Sequence, residues 1–166
     1  MTEQERKNRS LAESLLKHYQ GNEHAGLLGL LTADCEFRIG VGKSQGIVPY
    51  HGSHKGHEDI TNYLHKRRQN SMRNNNECIR VPLGGQPSPT QPSGDSAGST
   101  QRPEFLVHGD TVVAIGRLTD RFQDGSLMHE SDFVLVFRID EGQGKIRFFQ
   151  YFFDTAGAME AWRNRY

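Results

Sequence analysis

Three runs of apolar, β-branched and aromatic residues lie in the C-terminal half of the chain, separated by polar, glycine-rich turns. They read TVVAIGRLTDRF, LMHESDFVLVFRI and IRFFQYFFD, and they span residues 111–154. Runs of this composition between such turns are typical of consecutive antiparallel strands. Asp124 and Gly125, between the first two runs, suit the positive φ values of a two-residue hairpin turn. We therefore predict a strand meander here.

The N-terminal part of the chain shows helical spacing instead. Thr2 and Glu5 have the spacing of a capping box, and apolar residues then recur at helical intervals up to Gly21. Less regular segments follow, and they predict a short leucine-rich helix over 27–31 closed by 32–34, a strand over 35–39, a loop over 40–56 and a helix over 57–70.

Residues 84–102 contain almost nothing apolar, so we expect a disordered loop there. Short strands are predicted on either side of it, over 77–83 and 103–108. A short helix should follow Asp154 or Thr155, either of which could cap it. Because neither flank of the loop has a complete core of its own, residues 1–166 are expected to form one domain. This order of elements predicts an α+β fold with helices on one side of a curved, mostly antiparallel sheet.

Composition narrows the range of functions. The 166 residues include 20 basic and 20 acidic side chains, which argues against a nucleic-acid-binding protein with its basic face. No run approaches the roughly 20 apolar residues of a membrane helix, and the charged N-terminus does not resemble a signal peptide. We therefore expect a cytoplasmic protein with no membrane partner. Cys35 and Cys78 lack the spacing of a metal site and are interpreted as buried thiols.

Four phrases of the sequence carry a resemblance to the NTF2-like superfamily, in its SnoaL-like and ketosteroid-isomerase-like branch. LLTADCEF resembles the family's leucine-rich helix, Asp and first strand, and YHGSHKGHEDITNYL resembles its step of two glycines into a helix. DFVLVFRIDEGQGKI resembles the penultimate strand, and FFQYFFDT resembles the last one. The resemblance implies a cone of N-terminal helices packed on a curved sheet, with an apolar pocket inside.

The catalytic residues of that family are mostly not matched. The region that holds the base of ketosteroid isomerase reads Ile39, Gly40 and Val41 here, without a carboxylate. Tyr19 matches the place of its oxyanion-hole tyrosine, and Asp132, Leu135 or a neighbour could match its oxyanion-hole Asp, depending on register.

Limonene-epoxide hydrolase has a tyrosine and an asparagine on the first strand, where this chain has Phe37 and Ile39. Tyr151 occupies the position of that enzyme's Asp near the end of the last strand. The resemblance and the strand pattern together suggest Tyr19, Phe37, Tyr151 and Phe149 as substrate-binding residues.

Arg117, His129 and Asp132 are the candidate catalytic residues in the meander. A strict two-residue turn pairs Arg117 with Asp132 and Asp120 with His129, and only one of these pairs can face the pocket. The resemblance favours Arg117 inside, and Asp132 would then accompany it as an acid or base. Aligning the later VF and GKI phrases with the family instead shifts the second strand by one residue and places His129 and Ser131 inside. Both registers therefore stay open. The plainer interpretations are an exposed ion pair and a histidine with a structural role.

His51, His54 and His57 lie three residues apart, where the predicted loop enters the third predicted helix. Three imidazoles could hold zinc, but the usual compact spacings are absent, and a polar loop without a metal is the favoured interpretation. We expect no cofactor.

Two classes of function follow. The first is a domain that binds a small apolar, ring-type ligand and performs isomerisation, cyclisation or dehydration by acid–base chemistry. The second is a non-catalytic binding or dimerisation module, or an accessory subunit of a larger enzyme. A homodimer is expected in either case.

Overall fold

The computed structural model of the chain describes residues 1–70, 104–122, 124 and 126–165. The predicted strand over 77–83, the predicted disordered loop over 84–102 and Cys78 lie outside the described residues. Cys35 is a free, buried cysteine, as expected.

Four helices and six strands make up the described part of the chain. In order they are α1 (Glu3–Gly21), α2 (His24–Gly29), β1 (Leu31–Ile39), β2 (Gly52–Lys55), α3 (Gly56–Asn70), β3 (Glu104–His108), β4 (Thr111–Arg121), β5 (Leu127–Asp140), β6 (Lys145–Phe152) and α4 (Thr155–Arg165). The strands form one sheet in the order β2-β1-β6-β5-β4-β3, in which only β1 and β6 run parallel. This arrangement confirms the predicted α+β class.

Helix α1 begins and ends as its sequence predicts. The Glu5 amide donates to the Thr2 hydroxyl over 3.1 Å, and the Thr2 amide donates to the Glu5 carboxylate over 2.7 Å, which completes the capping box. Asn22 ends the helix in the left-handed region at φ +55°, a conformation that asparagine tolerates better than most residues. At the other end of the chain, Asp154 is the residue that caps α4, through the amides of Ala156 and Gly157.

Two boundaries between Leu27 and Gly56 were predicted wrongly. Helix α2 ends at Gly29, and β1 already begins at Leu31, because this backbone pairs with β6: the Ile146 amide donates to the Leu30 carbonyl over 2.9 Å. The predicted loop contains the edge strand β2, which pairs antiparallel with β1. Its sequence, GSHK, carries no apolar alternation, so only pairing with β1 reveals it as a strand.

The meander has the register that the two-residue turn predicted over most of its length. Pairs run from Thr111 opposite Arg138 to Asp120 opposite His129, and the pairing shifts by one residue only at Arg121, opposite Leu127. A second shift, between Arg138 and Ile139, interrupts the pairing of β5 with β6. Shifts of this kind bend and twist a sheet locally.

The core lies between the helices and one face of the sheet, which we call the inner face. Helix α1 packs against β3, β4 and β6, and α3 packs against β1 and β2. Phe133, Leu135, Phe137 and Ile139 of β5 lie on the inner face, and all four are buried. No helix in the described ranges is long and apolar enough to cross a membrane.

Candidate functional site

Six aromatic residues form a continuous layer over the inner face of the sheet, which we call the aromatic layer. Phe149 lies near its centre, with ring centroids 4.8 Å from Phe37, 6.0 Å from Tyr19 and 6.3 Å from Tyr151. Strand pairing explains these contacts, since Phe37 on β1 lies directly opposite Phe149 on β6. The layer consists of Tyr19, Phe37, Tyr63, Phe149, Tyr151 and Phe153.

The four residues predicted to bind substrate therefore meet in one place. Tyr19, Phe37, Phe149 and Tyr151 are all buried, with exposed fractions between 0% and 7%. Their common location agrees with the prediction, and their role as ligand contacts stays a proposal. The sequence analysis counted Tyr63 only as an apolar residue of the third helix, because helical spacing says nothing about where a hydroxyl group points.

The layer contains a pair of buried hydroxyl groups. The Tyr19 hydroxyl on α1 lies 2.5 Å from the Tyr63 hydroxyl on α3. Burial raises the pKa of Tyr63 well above the ordinary value of 10.0, and the neighbouring Tyr19 raises it further. Tyr63 therefore stays protonated at neutral pH. Within the neutral pair, either hydroxyl group can be the donor to the other.

A buried cation supports this pair. The Arg67 guanidinium lies over the Tyr19 ring, 3.9 Å from its centroid, and Arg67 Nη1 donates to the Tyr19 carbonyl oxygen over 3.4 Å. Arg67 is only 6% exposed, and its charge acts to lower the pKa of Tyr63 against the effect of burial. A positive charge beside two phenols stabilises negative charge that develops on a bound oxygen atom.

His54 holds the other side of Tyr63. The two rings stack at 4.8 Å with an angle of 30° between their planes. His54 Nε2 lies 3.3 Å from the Tyr50 carbonyl oxygen, and Nδ1 lies 3.6 Å from a carboxylate oxygen of Asp59. Both ring nitrogens thus face oxygen atoms, which fixes the orientation of the imidazole against the tyrosine.

His51 contacts the opposite end of the aromatic layer. Its ring lies edge-on to Phe153, with centroids 5.3 Å apart, and it is 8% exposed. His51 Nδ1 lies 2.9 Å from the Ser44 hydroxyl oxygen, and Ser44 donates its own proton to the Gly40 carbonyl over 2.7 Å. We call this pair of side chains the His51–Ser44 couple. Sequence analysis assigned both residues to a polar loop, since neither stands in a recognisable motif.

The three predicted catalytic residues lie elsewhere or outside the described side chains. Arg117 and Asp132 pair across β4 and β5 as predicted, but both are exposed and lie on the outer face of the sheet. The expectation that Arg117 lies inside was wrong: neighbouring Gly116 and Phe133 occupy the buried positions, and strand alternation turns Arg117 and Asp132 outward. Backbone position 129 is four residues before Phe133 on β5, so the two positions belong to the same side of the strand. The side chain of His129 is not among those described. The catalytic roles of these residues stay untested predictions.

The three histidines considered as possible zinc ligands have separate partners. His51 contacts Ser44, His54 contacts Tyr50, and His57 Nε2 lies 3.1 Å from the Thr32 carbonyl oxygen. Within the described ranges, no group of three or more His, Cys, Asp or Glu residues is arranged to hold a metal ion.

No protein-family model and no curated protein sequence matches the chain. Solved structures do match over nearly the whole length. An NTF2-like protein from Burkholderia xenovorans is 20% identical, with a TM-score of 0.66, and the match covers 94% of this chain and 95% of that one.

Two further structures have names that refer to chemistry. TerC, crystallised with polyporic acid, is 19% identical with a TM-score of 0.67, and the match covers 95% of this chain and 98% of TerC. A candidate SnoaL-like polyketide cyclase from Shewanella denitrificans is 13% identical with a TM-score of 0.64, over 95% and 97% of the two chains. At these identities the similarity establishes a common fold and leaves the function to be argued from the site.

Proposed function

We propose that this chain, which has the NTF2-like fold, binds a small, largely apolar ring compound against the aromatic layer and performs cofactor-free acid–base chemistry on it. The reaction belongs to the class of isomerisation, cyclisation or dehydration, in which a carbonyl group is polarised and a neighbouring proton moves. The Tyr19–Tyr63 pair is the hydrogen-bond donor to that carbonyl group.

The hydroxyl contact of 2.5 Å between Tyr19 and Tyr63 is the observation that carries this proposal. A donor pair surrounded by aromatic rings binds an oxygen atom on an otherwise apolar molecule, since a few polar groups in an apolar surface fix the orientation of a ligand. In such surroundings a hydrogen bond to a developing oxyanion is stronger than in water. The buried charge of Arg67 acts in the same direction.

Two of the similar structures are compatible with this class of ligand. TerC was crystallised with polyporic acid, and the Shewanella protein is a candidate polyketide cyclase. Both names concern those proteins, and they support the present proposal only as examples of what the fold accommodates.

Binding of a naphthol tests the proposal, because its rings match the aromatic layer and its hydroxyl or phenolate oxygen accepts hydrogen bonds. Fluorescence titration should show saturable binding to the full chain. Tyr63→Phe should weaken the affinity at least about tenfold, because one donor of the pair is lost. Ser53→Ala, which removes an exposed hydroxyl on β2 that donates to Glu36, should leave the affinity nearly unchanged.

Equal affinity of the wild-type chain and the Tyr63→Phe variant would contradict the role of the pair, and absence of saturable binding would contradict the proposal as a whole. Catalysis has its own measurement. A bicyclic ketone in deuterated water should exchange the hydrogens next to its carbonyl group faster with the protein than without it. Binding without any exchange would favour the alternative function, a non-catalytic binding module.

A further inference from the structure

We infer that His54 is the residue that positions Tyr63, and that the stacking of the two rings is what lets the tyrosine pair recognise an oxygen atom on a ring compound. The inference rests on the proposed function and deepens it, because it names the side chain that fixes the direction of the hydrogen-bond donor. It depends on where β2 places the imidazole, on the two groups that hold it, and on the way it restricts the Tyr63 ring.

The turn from β2 into α3 brings His54 and Tyr63 together. His54 lies directly opposite Phe37 of β1, and paired residues share one face of a sheet, so its side chain belongs to the inner face. Two residues later, Gly56 begins α3 with φ +80°, a conformation that glycine adopts without strain. Tyr63 follows about two helical turns further on, and its ring stacks on the imidazole with centroids 4.8 Å apart and planes 30° apart.

Two oxygen atoms hold the imidazole in place. His54 Nε2 lies 3.3 Å from the Tyr50 carbonyl oxygen, which only accepts hydrogen bonds, so the neutral ring carries its proton on Nε2. Nδ1 lies 3.6 Å from one carboxylate oxygen of Asp59, and the other carboxylate oxygen accepts a hydrogen bond from the Lys55 amide over 2.9 Å. Since both ring nitrogens face oxygen atoms of the chain, we assign His54 a positioning role and no proton transfer.

His54 covers one face of the Tyr63 ring, and two further groups restrict that ring. The Phe37 ring lies at an angle of 68° to it, with centroids 6.4 Å apart, and the Tyr19 hydroxyl lies 2.5 Å from the Tyr63 hydroxyl. A phenol donates its proton close to the plane of its ring, because the oxygen atom is conjugated with the ring. A fixed ring plane therefore fixes the direction of donation, which a binding site requires of a donor that must meet a ligand oxygen.

Stacking by His54 should therefore affect one class of ligand more than another. A hydrogen bond depends on direction, whereas the burial of apolar area does not. If the Tyr63 ring gains freedom to turn, a ligand with an oxygen atom loses affinity, and a plain hydrocarbon of the same shape keeps it. The ratio of the two affinities measures how well Tyr63 is positioned, separately from how well the protein packs.

Naphthol and naphthalene are the matched probes, in fluorescence titrations of the full chain. His54→Gln keeps a donor for the Tyr50 carbonyl but has no ring to stack, and it should weaken naphthol binding at least about threefold, while naphthalene binding changes less than about twofold. His54→Phe keeps a ring without the hydrogen bonds, and it should recover most of the lost affinity for naphthol. His57→Gln, a matched change at a histidine bonded to the Thr32 carbonyl, should leave both affinities unaffected.

Motion of the Tyr63 ring gives a readout that needs no ligand. Nuclear magnetic resonance spectra of the full chain labelled in its tyrosine rings, assigned with Tyr63→Phe, report the rate at which each ring flips. Tyr63 should flip several times faster in His54→Gln than in the wild type or in His54→Phe. Equal flip rates in the wild type and in His54→Gln would overturn the inference, whatever the affinities.

The outcomes separate the two proposals. Equal weakening of naphthol and naphthalene binding in His54→Gln would show that His54 only supports packing, which overturns the inference and leaves the proposed function in place. A His54→Phe variant as impaired as His54→Gln would overturn the inference as well, because stacking would then not be the cause. If naphthol does not bind to the wild-type chain at all, the proposed function fails, and with it the recognition of a ligand oxygen inferred here.

Discussion

The hydroxyl groups of Tyr19 and Tyr63 lie 2.5 Å apart in the interior, although 44 positions separate the two residues in the chain. Tyr19 comes from the second half of α1 and Tyr63 from the middle of α3, and the helices bring them together over Phe37 and Phe149. The pair is therefore a product of helix packing on the sheet, and it places polar groups where the surroundings are otherwise aromatic.

A double-mutant cycle measures how strongly the two hydroxyl groups depend on each other. Tyr19→Phe or Tyr63→Phe alone should lower the free energy of unfolding by about 1–3 kcal/mol, because each leaves a buried hydroxyl without its partner. The double variant should cost less than the sum of the two single variants. Urea denaturation gives all four values. Additive costs would show that the hydroxyl groups do not interact.

Stability should fall at alkaline pH, because two buried acids are neutral in the folded chain. Burial raises the pKa of the Cys35 thiol from 9.0 to about 12, and the pKa of Tyr63 lies well above 10.0. In the unfolded chain both groups ionise near their ordinary values. Their stabilising effect is therefore complete below pH 9 and is lost as the pH rises toward 12, by up to about 1.4 kcal/mol per pH unit for each group.

Urea denaturation between pH 8 and about pH 10.5 measures this effect, since the m-value and midpoint can be followed at each pH. Cys35→Ala should reduce the slope above pH 9, because it removes one of the two groups. An identical slope in the wild type and in Cys35→Ala would show that the thiol ionises as easily in the folded chain as in the unfolded one.

Gly116 is required by the packing of the inner face. A Cβ atom at this position would lie 2.7 Å from Cζ of Phe133, the residue directly opposite on β5. Gly116→Ala should lower the free energy of unfolding by about 1–3 kcal/mol through overpacking. Gly29→Ala is the matched control, since a Cβ at Gly29 meets nothing within 4 Å, and it should be neutral or stabilising by up to about 1 kcal/mol. A thermal melt of each variant is sufficient.

We expect the chain to form a homodimer through the outer face of the sheet. Phe152 is 48% exposed and Leu106 is 47% exposed, and strand alternation and pairing put them on one face with four half-buried residues, namely Val113, Ile115, Val134 and Val136. A second copy, related by a twofold axis, can cover such a patch with the same patch.

Sedimentation velocity should therefore give a dimer for the wild type and a folded monomer for Phe152→Asp. Val41→Asp provides the comparison, because Val41 is also an exposed apolar residue, at 38%, but lies in the loop after β1. Dissociation by Val41→Asp, or a dimer that survives Phe152→Asp, would place the interface elsewhere.

Local patterns determined the order of elements and much of the register. The capping box of Thr2 and Glu5, the alternation of the meander and the Asp124–Gly125 turn each concern residues close together in the chain, and their physical basis is local backbone geometry. They correctly predicted α1, the three meander strands and the pairing of Arg117 with Asp132. The family resemblance and the strand pattern together suggested Tyr19, Phe37, Tyr151 and Phe149, which the structure brings into one cluster, while their role as substrate-binding residues stays a prediction.

Tertiary structure decided which polar groups meet the aromatic layer and which face the solvent. The sheet turns Asp132 outward, while packing brings Tyr63 to Tyr19 and a polar loop folds His51 onto Ser44 and Gly40. Sequence periodicity reports which side of an element is apolar, because burial of apolar area stabilises the fold and leaves a repeating pattern. A hydrogen bond between distant side chains leaves no such pattern, since it depends on the direction of two particular groups after the helices and strands have packed.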